Sequence, residues 1–224
     1  MLRGTRAGAL ALLTSFVGTT GCGADAMPTT PSTSSPAFRV VAVLGDSLSV
    51  SPSPEASFPA VLQRRLDAEG FNWRVVNAGR NGDTTAQGLA RLDDVLRDKP
   101  TVLILALGAN DGLRGVPVST VRRQLDEIIR RATSSGVRVL LCGMETPPFR
   151  GWEYSLAFHA IYPELAAAYD LPLVPFLLAG VFGNFDLNQP DMIHPNAAGA
   201  QRIADTVWPF LEQMVRAASQ TATR

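Results

Sequence analysis

Apolar runs return along the chain at intervals filled by longer, mixed segments, and they place strands at about residues 39–45, 73–77, 101–107, 137–143 and 172–176. Val40–Leu44 and Val102–Leu107 are almost unbroken apolar stretches, as expected of strands buried on both faces of a parallel sheet. The intervening segments change to helical spacing. Val118, Val121, Leu125, Ile128, Ile129 and Ala132 recur at i, i+3 and i+4, as do Ile203, Val207, Phe210, Leu211 and Met214 near the end. These stripes are core faces. The alternation of strand and helix defines an α/β domain with helices on both faces of one sheet, and the chain carries no internal repeat.

Chemistry-bearing residues stand where the strands end. Ser47 follows Val40–Gly45 in the turn Gly45-Asp46-Ser47-Leu48-Ser49. A serine hydroxyl is a poor nucleophile at neutral pH and needs a base, an acid to orient that base, and donors for the developing oxyanion. Asp191 and His194 are three residues apart on a segment that reads as a loop entering the last helix, so the carboxylate can fold back onto one imidazole nitrogen while the other faces Ser47. His159, the other histidine of the chain, lies in Phe158–Tyr162, which reads as an ordinary helix, and is taken as structural. Oxyanion donors are expected from the N–H of Ser47, the N–H of Gly82 in the turn Asn77–Asp83, and the side-chain amide of Asn110 after Val102–Leu107. Asp83 is expected to cap the helix that follows Gly82. Asp46 and Asp111 read as loop-holding residues.

Taken singly, these elements have plain alternatives: a Gly-Asp-Ser turn, an Asn-Asp-Gly loop and a helix-capping Asp-x-x-His are all common. Their ordered combination resembles the four blocks of the GDSL-type SGNH hydrolases. Within that family the chain is similar to the small bacterial branch of arylesterases, acyl-CoA thioesterases and lysophospholipases. The likeness covers about residues 38–215 and is supported by Val75–Ala78, Gly82–Thr85, Gly88–Leu92, Gly108–Gly115 and Ala160–Pro163. It implies a three-layer α/β/α, flavodoxin-like sheet of five parallel strands in the order 2-1-3-4-5, with an open, shallow cleft. It also implies catalysis by Ser47, Asp191 and His194 and an oxyanion hole from Ser47, Gly82 and Asn110, without a cofactor. One departure stands out. Where this branch commonly has a glycine shortly after the nucleophile, the chain reads Ser49-Val50-Ser51-Pro52-Ser53-Pro54-Glu55, whose two prolines stiffen the loop and remove two N–H donors.

At 224 residues and 46% hydrophobic content, the chain suffices for one domain with a sizeable core, and its zero formal net charge gives no reason to expect nucleic acid. Arg3 and Arg6 precede the apolar stretch 7–17, so residues 1–22 read as a secretory signal. Thr19-Thr20-Gly21-Cys22 resembles a lipoprotein processing site, with Thr19 where leucine is usual. Lipidation of Cys22, giving a membrane tether, stands beside plain cleavage near that point. Residues 23–37, rich in Pro, Ser and Thr, read as a linker, 38–218 as the hydrolase domain and 219–224 as a tail. Cys142 reads as a small buried hydrophobe, and two cysteines with two histidines at unrelated spacings supply no metal cluster.

The expected activity is hydrolysis of small acyl esters, with short to medium acyl or aryl groups first and thioesters or lysophospholipids next. The loops Met144–Tyr154 and Ala179–Phe185 are expected to wall an apolar substrate, although Trp152 and Phe182 could equally pack on the sheet. An envelope address favours a lysophospholipid or envelope acyl group over acyl-CoA. A carbohydrate O-deacetylase and a catalytically silent binding module are the rival readings.

Overall fold

A computed structural model describes residues 38–221. The signal, Cys22 and nearly all of the linker read from the sequence lie outside the described residues. In chain order the elements are β1 (Arg39–Gly45), α1 (Phe58–Ala68), β2 (Trp73–Asn77), α2 (Thr85–Ala90), α3 (Leu92–Leu96), β3 (Val102–Ala106), α4 (Ala109–Arg114), α5 (Val118–Ser134), β4 (Arg138–Cys142), α6 (Trp152–Tyr169), β5 (Leu173–Val174) and α7 (Ala197–Thr221).

The five strands form one parallel sheet in the order β2-β1-β3-β4-β5. β3 is buried at every position and β1 at all but its first, which is why both read as continuous apolar runs. β2 lies at an edge and is mixed in sequence, with only Trp73 buried. β5 is shorter than the expected 172–176. Pro172 and Pro175 flank it and have no N–H to add to the ladder, so pairing is confined to Leu173 and Val174.

α1 packs with α7, while α2, α5 and α6 pack together as a second group, as right-handed crossovers on the two faces of the sheet would place them. The α5 stripe faces the core as expected, with Val121, Leu125, Ile128, Ile129 and Ala132 buried. In α7, Ile203, Val207, Leu211 and Met214 are buried and Phe210 is partly so. Each fully buried aliphatic side chain contributes about 1.5–3 kcal/mol. α7 continues to Thr221, into the segment read as a tail.

The register levels the strand ends that matter. Val43 pairs with Asn77, and Gly45 with Ala106. The turns after β1, β2 and β3 therefore emerge side by side at the carboxyl edge, the usual position for a ligand in an open α/β sheet.

Candidate active site

Ser47 opens a single 3-10 turn, Ser47–Ser49, held from within by Asp46. The Asp46 carboxylate accepts from Leu48 N–H at 2.9 Å, its carbonyl accepts from Ser49 N–H at 3.1 Å, and Asn77 at the end of β2 donates to the Ser49 carbonyl at 2.7 Å. Asp46 is fully buried. Burial pushes its carboxyl up to about 7, against the opposing pull of Leu48 N–H, the Asn110 amide and nearby His194. Asp111 ties α4 to α2 by accepting from the Thr85 N–H at 2.9 Å and the Thr85 hydroxyl at 2.7 Å. Burial raises its carboxyl too, opposed by those Thr85 bonds.

The Asp191–His194 loop folds over the same edge. His194 Nε2 lies 2.8 Å from Ser47 Oγ, and Nδ1 lies 2.7 Å from Asp191 Oδ2. With Nδ1–H donating to the carboxylate, Nε2 is free to accept the serine proton. Asp191 Oδ1 also accepts from the N–H groups of Ile193 and His194, each at 2.9 Å. These bonds, the backbone N–H of His194 first, lower its carboxyl to about 2. The loop is pinned at its base, where Gln189 N–H donates to the His194 carbonyl at 2.7 Å and Asn188 bridges Pro195. Asn196 caps α7 by accepting from Gly199 N–H at 3.0 Å, and a Cβ on Gly199 would collide with the Leu187 carbonyl that passes over it.

The three expected oxyanion donors share one cleft. Residues 80–83 form a turn closed by Asp83 N–H to the Arg80 carbonyl at 3.2 Å, and Gly82 occupies its positive-φ position at +77°. The N–H groups of Ser47 and Gly82 meet no acceptor among the described residues. Asn110 lies in the first turn of α4, whereas the sequence suggested a loop; Gly108, with φ of 121°, turns the chain out of β3 and into that helix. Its amide donates to the Asp83 carbonyl at 3.0 Å and, more weakly, to Asp46 at 3.3 Å.

Asp83 does not cap α2. Thr84 does, in a reciprocal box with Gln87. The Asp83 carboxylate instead accepts from Arg91 Nε at 2.6 Å, and Arg91 Nη2 reaches the Gly45 carbonyl at 3.0 Å. This buried clamp joins the Ser47 turn to the Gly82 turn. It was missed in the sequence because Arg91 sits in an unremarkable helical stretch with partners 8 and 46 residues away.

Two cavities flank Ser47. A polar cleft of about 410 Å³ is lined by Ser47, Ser51, Pro52, Asn81, Gly82, Asn110, Gln189 and His194. An apolar pocket of about 270 Å³ is lined by Leu48, Ala109, Leu113, Phe149, Leu178 and Phe182, among others. Both expected wall loops contribute to the second, through Glu145–Pro147 and Phe149 and through Phe182. Trp152 does not line it; it opens α6 and is 72% exposed. His159 lines neither cavity and faces Glu145 at 3.6 Å. Cys142 is buried in β4, and burial pushes its thiol up.

A hydroxyl, an imidazole and a carboxylate in line at the carboxyl edge of a three-layer parallel sheet mark a serine hydrolase. The chain belongs to the GDSL-like Lipase/Acylhydrolase family, whose profile matches residues 43–202. The Esterase TesA of Pseudomonas aeruginosa is 41% identical over 182 residues, spanning 80% of this chain and 90% of that protein. The Thioesterase 1/protease 1/lysophospholipase L1 of Escherichia coli is 38% identical over 176 residues, spanning 77% and 83%. A crystal structure of TesA superposes with a TM-score of 0.75 at 40% identity, covering 79% of this chain and 99% of that one.

Proposed function

We propose that this ester hydrolase works through an acyl-enzyme on Ser47. The observation that carries the reading is the unbroken line from Ser47 Oγ to His194 Nε2 at 2.8 Å and from His194 Nδ1 to Asp191 at 2.7 Å. His194 takes the hydroxyl proton as Ser47 Oγ attacks the ester carbonyl, and Asp191, held ionised by its backbone donors, stabilises the imidazolium. The carbonyl oxygen, now negative, accepts from the N–H groups of Ser47 and Gly82 and from the Asn110 amide, whose long bond to Asp46 gives way to it. His194 then returns the proton to the leaving oxygen. Water repeats the sequence in the second half-reaction and frees the acid.

The acyl group occupies the pocket of Leu48, Leu113, Phe149 and Phe182. At about 270 Å³ it lies just below the roughly 300–1,000 Å³ range of small-molecule sites, which supports short to medium acyl and aryl groups. The relatives' names, esterase, thioesterase and lysophospholipase, support acyl transfer to water as the reaction and leave thioesters within range. An envelope address, with lipid on Cys22, rests on the N-terminal sequence alone. The test is hydrolysis of a p-nitrophenyl acyl series from acetate to palmitate by the isolated protein beside Ser47→Ala. Serine-dependent turnover with an optimum at short or medium chains is expected, and turnover that survives Ser47→Ala would refute the assignment.

A further inference from the structure

Ser47 and Leu48 are adjacent in the chain yet line different cavities, Ser47 the polar cleft and Leu48 the apolar pocket. The reacting carbon at Ser47 Oγ carries an acyl chain on one side and a leaving oxygen on the other, and His194 must reach that oxygen to protonate it. His194 lines the polar cleft and is absent from the apolar pocket, so the alcohol half of the ester lies in the cleft.

The lining of that cleft has a definite chemistry. Apart from His194 it contains neither an acid nor a base. Three of its side chains carry hydrogen-bonding capacity that nothing in the fold uses. The Asn81 amide and the Ser51 hydroxyl meet no partner among the described residues, and Gln189 spends only its Nε2, on the Pro195 carbonyl at 3.1 Å. Asn81 precedes Gly82 in the turn 80–83, while Ser51 and Pro52 come from the proline-containing loop that follows Ser47. Two arginines stand at that turn and neither is part of the lining: Arg80, its first residue, lines a separate cavity, and Arg114 donates to the Gly82 carbonyl at 2.9 Å. Amide and hydroxyl groups of both donor and acceptor character, with no charge to match, suit a ligand with several neutral hydroxyls. Pro52 adds a rigid apolar surface for the C–H face of such a molecule.

We infer that the cleft of Ser51, Pro52, Asn81 and Gln189 is a subsite for a neutral polyhydroxyl alcohol, glycerol or a sugar, so that the preferred substrates are its monoacyl esters. This rests on the acyl-enzyme reading of Ser47 and adds to it the leaving group.

The experiment compares kcat/KM for ethyl octanoate, 1-octanoylglycerol and 1-octanoyl-glycero-3-phosphocholine, all below their aggregation thresholds, for the parent, Ser51→Ala/Asn81→Ala and Ser47→Ala. Two extra neutral hydrogen bonds favour the glyceryl over the ethyl ester by about 10-fold in the parent, and the double variant brings that ratio towards one. A parent ratio near one, or a ratio the double variant leaves unchanged, overturns the subsite. A phosphocholine ester that outruns the glyceryl ester also overturns it, because the cleft would then select a charged headgroup. Turnover of all three esters by Ser47→Ala would instead mark failure of the underlying acyl-enzyme reading. The parent ratio stands as a test even if the double variant does not fold.

Discussion

Removing the Arg91 guanidinium should weaken the fold and, separately, slow the chemistry. The Arg91 and Asp83 side chains are 7% and 10% exposed and lie 2.6 Å apart. Arg91→Met keeps the apolar stem and leaves the Asp83 carboxylate buried without its partner, a change that costs about 3–5 kcal/mol in comparable settings. The Gly45 carbonyl loses one donor and keeps another, the Arg80 N–H at 3.1 Å, so its share is small. Against a total stability of about 5–15 kcal/mol the loss is large, and at about 2–4 °C per kcal/mol for a domain of this size Tm should fall by roughly 10 °C. Urea unfolding followed by circular dichroism measures it. Asp83→Leu combined with Arg91→Met should recover most of the loss, since a buried pair replaced by apolar groups is close to neutral. A loss under about 1 kcal/mol for the single variant, or a double variant no more stable than the single one, would refute the reasoning. In the folded fraction kcat should fall more than KM rises, because the clamp sets the spacing of Ser47 and Gly82 and touches neither substrate cavity.

Asn110→Ala should lower kcat by about 100- to 1000-fold with little change in KM, as expected for a donor used in the transition state, and steady-state kinetics on p-nitrophenyl butyrate will show it. Asp46 gives a pH signature of definite sign. Its carboxyl is raised in the fold from 3.8 to about 7, so its contribution is fully present below about pH 4 and is lost as pH rises through 7, a change on the order of 4 kcal/mol. Asp111 is raised in the same direction, so the measurement is the difference in unfolding free energy between the parent and Asp46→Asn from pH 4 to 8; equal slopes would refute the assignment. Thr146 Oγ1 is buried without a partner among the described residues, so Thr146→Val should leave Tm unchanged or raise it, and a clear drop in calorimetry would show that the hydroxyl does have a partner.

The parts of the site that were legible are those whose meaning is local. Asp191 and His194 are three residues apart, and Ser47, Gly82 and Asn110 each follow a strand that the apolar pattern marks, so topology alone carries them to one edge. The fold class and strand order followed from the alternation of apolar runs with helical stripes and from the resemblance. The failures are equally physical. β5 shrinks because two prolines stop the ladder. Asp83 looks like a cap until a long-range arginine claims its carboxylate and Thr84 takes over the helix end. Asn110 enters a helix because Gly108 takes a backbone conformation that few residues allow. The division between acyl pocket and alcohol cleft depends on five loop segments and α4 meeting around Ser47, which spacing within one segment does not encode.

The most direct test is to treat the active protein with a stoichiometric alkyl fluorophosphonate, which transfers its phosphonyl group to an activated serine with loss of fluoride, and to locate the adduct by peptide mass spectrometry. One adduct per chain is expected, on the peptide carrying Ser47, with ester hydrolysis lost in proportion to labelling. An adduct on another residue, or full activity in protein labelled at Ser47, would contradict the account.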